Sequence, residues 1–188
     1  MITDLHDITM TGRFCYAFMC IEKYLVTLYP NVDWTPIARK MWQWTEQYWD
    51  ESWDIYSQIV PEYIFEFSSY QELNDRSFDG KLDKCDYERI IGCYTGITSG
   101  NPDDEINIII KVPTDMGNCT DGASFSWAEP LVYDELGKLE KMIIAHNIEL
   151  PSKKSLEHFK FTKEQLKNRE PWGEFEKTDF LSIIINHK

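Results

Sequence analysis

Phe14, Phe18, Ile21, Leu25 and Leu28 follow one another at spacings of 4, 3, 4 and 3. That period puts all five on one face of a helix and conflicts with the two-residue alternation of a strand. It predicts a long helix from about Gly12 to Tyr29, stopped by Pro30. Thr35-Pro36 then reads as a cap followed by proline at the first helical position. Ile37, Met41, Trp44 and Tyr48 form the buried stripe of the next helix, and Ala38, Trp42 and Trp49 mark a second apolar face. A chain that opens this way must pack helix on helix.

The pattern continues. Ser52 caps a short helix through Trp53, Tyr56, Ile59 and Val60, which ends before Pro61. A further helix covers Glu62 to Asn74, and Asp83 caps another that groups Tyr87, Ile90, Ile91 and Tyr94. Asn101 to Glu105 combines a cap, a proline and acids suited to the positive end of a helix dipole. Ile106 to Val112 is therefore read as helix, although its β-branched run also suits a strand. Residues 113–127, rich in Gly, Asn and Thr, read as loop.

Val132, Leu136, Leu139 and Ile143 again step by 4, 3 and 4, with Asn147 as a left-handed end residue. A hairpin turning at Gly137 is the rival reading there. Near the end of the chain, residues 158–161 and 181–185 resemble two strands joined across Pro171-Trp172-Gly173, while Thr162 to Gln165 fits a capping box. The expectation is a mainly α, multi-helix domain over 1–188, with a helical core over 1–97 and, over 98–188, helices plus a small C-terminal β-hairpin.

Composition narrows the function. With 43% hydrophobic and 14% aromatic residues, the chain can bury enough surface to offset its ordering entropy. Against 19 basic side chains stand 32 acidic ones, a formal net charge of -13. Nucleic acid and anionic membrane surfaces both draw on clustered Lys and Arg, so both are disfavoured as partners. A basic protein is favoured, because complementary fields speed association. The five cysteines form no CxxC pair, the start Met-Ile-Thr-Asp-Leu-His-Asp lacks the basic opening of a signal peptide, and Glu22 and Lys23 interrupt the first apolar run. A cytoplasmic protein is expected.

Two local patterns carry candidate chemistry. Trp34, Trp42, Trp44, Trp49 and Trp53 are interleaved with acids. Trp42 and Trp44 are expected in the core, and Trp49 or Trp53 near the surface. Trp49, Asp50, Glu51, Trp53 and Asp54 are then the expected partner-binding residues, suited to hold Arg or Lys by ion pairing and cation–π contact. The second pattern runs from Asp75 to Asp86. Asp75, Ser77, Asp79, Lys81 and Asp83 occupy the alternate positions of a calcium loop, Gly80 the sharp turn and Asp86 the closing position. The Asp at that last position is short for a bidentate ligand, and a surface turn with Asp83 as a helix cap explains the same residues. Ca²⁺ is thus an alternative; otherwise no cofactor is expected. The four histidines are scattered and no nucleophile or phosphate-loop motif occurs, so the chain reads as a non-enzymatic binder, with a hydrolase as a further alternative.

The order of elements also resembles a known family. Ala17-Phe-Met-Cys-Ile-Glu-Lys-Tyr-Leu25, Tyr29-Pro30, the segment Ala38-Arg-Lys-Met-Trp42-Gln-Trp44 and the closing Trp172-Gly-Glu-Phe175 with Leu181-Ser-Ile-Ile184 look like the mainly helical immunity proteins of bacterial polymorphic toxin systems, the family numbered six. The likeness is one of pattern, densest over residues 14–97. It implies a cytoplasmic protein that binds and blocks a secreted toxin.

Overall fold

The structure, a computed structural model, describes residues 3–46, 49–75, 82–120, 125–168, 172–174 and 176–186. Helix α1 (Met10–Leu28) is its axis. Thr9 caps it by accepting from the Gly12 amide. The expected stripe is buried at Phe14, Phe18, Ile21 and Leu25, but Cys15, Tyr16, Ala17, Cys20 and Tyr24 are buried too. A helix covered on nearly every side sits in the middle of a bundle rather than on its edge.

Helix α2 (Thr35–Gln43) starts one residue before the expected proline, and the Asp33 carboxylate accepts from the Thr35 amide at 3.1 Å. A single 3₁₀ turn, Trp44–Glu46, follows it. Helix α3 (Trp49–Ser57) comes next. The helix expected over 62–74 is two pieces, α4 (Pro61–Ile64) and α5 (Tyr70–Asp75). The break falls at a serine pair: the amide and hydroxyl of Ser68 both donate to the Glu72 carboxylate, and the Glu72 amide donates to Ser69. Side-chain oxygens thus take over the role of the helical ladder and start a new turn. Helix α6 (Lys84–Tyr94) begins as expected, with Asp83 accepting from the Asp86 amide at 2.8 Å.

The largest departures are in the second half. Helix α7 (Glu105–Asn118) carries the Ile106–Val112 run, so the helical reading holds there, but it continues through Pro113 into residues expected to be loop. Val112, Pro113, Thr114, Met116 and Gly117 are buried, and tertiary packing outweighs their poor propensity. Helix α8 (Phe125–Ala145) likewise contains Pro130 and shows no turn at Gly137. Its stripe of Val132, Leu136, Leu139 and Ile143 is buried, and it closes on Asn147 at φ 58°. The Ile148 amide donates to Ile143 and the Asn147 amide to Ile144, which satisfies the last carbonyls.

The expected C-terminal β-hairpin is not supported. Residues 158 and 159 close a 3₁₀ segment, Lys153–Phe159, and Lys160 makes one isolated bridge to Ile8. The capping box at Thr162 is present, with Thr162 and Gln165 exchanging amide-to-side-chain bonds ahead of α9 (Lys163–Asn168). The Ile183–Ile185 run is a turn after a short 3₁₀ piece, Asp179–Leu181. Its amides have other acceptors: those of Ile183 and Ile184 donate to Glu22 on α1, and that of Ile185 to the Ser182 hydroxyl. Among the described residues there is no strand beyond the bridge, and no helix is long and apolar enough to cross a membrane.

Candidate functional site: a cation-lined cleft between α2 and α6

Helices α2 and α6 lie side by side, and each turns a face of helical period toward the gap between them. Pro36, Arg39, Lys40 and Gln43 come from α2; Asp86, Arg89, Ile90 and Cys93 come from α6. Asn31, Val32 and Asp33, in the loop before α2, also line this gap. The resulting cleft holds about 720 Å³, within the range of small-molecule sites. Gly92 leaves its wall open, since a side chain there would meet nothing within 4 Å.

The electrostatics of the cleft run against those of the whole chain. Arg39, Lys40 and Arg89 face Asp33 and Asp86, three cations to two carboxylates. Both carboxylates are engaged: Asp33 with the Thr35 amide, and Asp86 with Lys40 Nζ at 3.6 Å across the gap. Arg39 and Arg89 are exposed, and neither guanidinium forms an ion pair with another described residue. The Cys93 thiol donates to the Asp33 carbonyl at 3.3 Å, and burial, with Asp33 nearby, pushes its pKa up to about 11. It stays protonated at neutral pH and is a poor nucleophile. The groups assembled here suit holding an anion better than attacking a substrate.

The residues singled out from sequence lie elsewhere or at the rim. Trp34, Trp42 and Trp44 are all buried. Trp42 Nε1 donates to Glu22 at 2.7 Å, Trp34 Nε1 donates to the Tyr29 carbonyl, and Trp44 stacks on Phe14 at 5.0 Å. Trp53 and Asp54 are half-buried on α3, with Trp53 packed against the core. Trp49, Asp50 and Glu51 belong to the same nine-residue helix, but their side chains lie outside the described residues. Of the calcium-loop candidates, Ser77, Asp79 and Lys81 lie outside the described residues. Asp75 accepts from Gln71 at 2.7 Å, Asp83 is spent as the α6 cap, and Asp86 faces Lys40. The two carboxylates at the end of that loop therefore already have protein partners.

Other ionisable clusters are interior. Glu22, fully buried, accepts from Trp42, the Ser182 hydroxyl and two amides, and burial raises its pKa despite those bonds. Glu140 accepts from Tyr16 and from the Thr3 amide. Arg13, fully buried, donates to the Ile8 carbonyl and to Glu129 at 2.8 Å and lies over the Tyr133 ring. Each joins segments far apart in sequence.

The sequence reading missed Arg39, Lys40 and Arg89. A signal was present: in a chain so short of cations, Arg39-Lys40 on one helix and Arg89 on another mark the same pair of elements. Compared with known proteins, the chain matches no family model, no curated protein and no solved structure.

Proposed function

We propose that this protein works by binding, as a stoichiometric inhibitor of a basic protein in the manner of a toxin-immunity pair. The observation that carries the reading is the charge: an excess of 13 negative charges on a folded helical domain creates a long-range field that attracts a cationic partner and repels nucleic acid. Helix α3 is the favoured contact, because Trp49, Asp50, Glu51, Trp53 and Asp54 fall within its nine residues. Carboxylates beside indoles provide both an ion pair and a cation–π surface for Arg or Lys.

The test is calorimetric titration with toxin domains encoded beside the gene. Charge reversal at Asp50, Glu51 and Asp54 is expected to weaken binding at least tenfold and to flatten its salt dependence, because three attractive pairs become repulsive. Affinity that survives the triple reversal undiminished removes α3 from the interface.

A further inference from the structure

We propose that the cleft between α2 and α6 binds a small phosphate ester, with its phosphate held between Arg39 and Arg89. Arg39 stands on one wall and Arg89 on the other, and both forks are exposed with no ion pair to another described residue. Of the three described arginines, Arg13 is buried on Glu129, whereas Arg39 and Arg89 both line this one cavity and are exposed to solvent.

The geometry selects among anions. An arginine presents a planar fork that takes two oxygens of a carboxylate or phosphate at once. Forks arriving from opposite walls fit a tetrahedral phosphate, whose oxygens point toward both. A planar carboxylate presents both oxygens along one edge, which a single fork covers, so it gains less from a second fork on the opposite wall. Lys40 adds a third positive charge, held in place by Asp86 at 3.6 Å. The size of the space separates an ester from the bare ion: about 720 Å³ leaves room for an organic body along Val32, Pro36 and Ile90. The surrounding field excludes an extended polyanion, because the net charge of -13 repels every phosphate that extends beyond the cleft. The site thus takes one phosphate on a small, partly apolar carrier. This inference does not depend on the toxin reading, which concerns α3 and a cationic partner.

Calorimetry on the full chain with inorganic phosphate, phenyl phosphate and benzoate tests it. Phenyl phosphate should bind more tightly than inorganic phosphate, and benzoate, which shares the ring but carries a carboxylate, more weakly than either. Arg39→Gln and Arg89→Gln should each weaken phenyl phosphate by roughly tenfold, the effect of one charge-assisted contact. Both side chains are exposed, so both variants should melt with wild type, and Lys167→Gln on α9 should leave binding unchanged. Absence of phenyl phosphate binding at millimolar concentration, equal binding of benzoate, or full affinity in both arginine variants overturns the proposal. None of these results bears on α3.

Discussion

Charged side chains occupy two opposite settings in this protein. Around α1, Arg13, Glu22 and Glu140 are removed from water and bonded to distant segments: residues 8 and 129, 42 and 182–184, 3 and 16. In the cleft between α2 and α6, Arg39 and Arg89 are in water, and neither forms an ion pair with another described residue. A buried charge costs several kcal/mol unless it is paired, so the first group persists only because its bonds are nearly saturated. An exposed charge carries no such cost, so the second group keeps its bonding capacity for something else. The first setting builds the fold, and the second is available to a ligand.

That contrast breaks most visibly at Glu22. Glu22→Ala should cost ~3–5 kcal/mol, because the Trp42 indole, the Ser182 hydroxyl and the Ile183 amide lose their acceptor together. Urea denaturation measures the loss, and limited proteolysis should show residues 178–186 becoming accessible. A cost near zero would mean that the carboxylate does not anchor the C-terminal segment. The same residue sets a pH trend. Burial, the dominant cause, raises the Glu22 pKa above its ordinary 4.5, offset in part by the bonds from Ser182 and Trp42. A raised folded-state value means that its contribution is complete below 4.5 and declines as pH rises through the folded value. Glu22→Gln should remove that decline, so a stability difference from wild type that stays constant above 4.5 would contradict the assignment.

A smaller effect is expected at Tyr16, whose hydroxyl donates to Glu140 at 2.7 Å and also bonds the Thr3 hydroxyl. Tyr16→Phe removes that hydroxyl but leaves Glu140 the Thr3 amide, so ~1–2 kcal/mol is expected from the shift in the denaturation midpoint. A loss as large as that at Glu22 would show that Glu140 depends on this single donor, and the interior network would then be less redundant than its geometry implies.

How much of this was legible in the sequence follows the same divide. The stripes of α1 and α8, the Asp83 cap and the left-handed Asn147 were readable because each depends on residues a few positions apart. The C-terminal hairpin was misread because the acceptor for Ile183 and Ile184 is Glu22, 161 and 162 positions away. A β-branched run does not announce that its amides will close on a buried carboxylate. Residues 113–118 were misread because burial against neighbouring helices overrides the breaking tendency of Pro113 and Gly117. Trp42 and Trp44 lie in the core as expected, and Trp34 is buried with them, while the three cations of the cleft are hidden in the sequence by the strongly negative global charge.

Asp86 belongs to both settings in part and gives the finest test. Its side chain is 37% exposed, it pairs with Lys40 across the cleft, and it lies in the first turn of α6, where a negative charge favours the helix dipole. Asp86→Asn keeps the shape and removes the charge. Stability should fall by only ~0.5 kcal/mol, because exposed pairs and dipole contacts are each weak. Affinity for phenyl phosphate should rise roughly threefold, since a carboxylate that repels the anion is gone from the cleft. The calcium reading of residues 75–86 predicts something different from the same variant: Asp86 is its closing ligand, so any calcium heat in the wild type should disappear while phosphate binding stays unchanged. Paired titrations of wild type and Asp86→Asn with phenyl phosphate and with calcium separate the two readings. Tighter phosphate binding assigns this carboxylate to the cleft, and a lost calcium response assigns it to the loop.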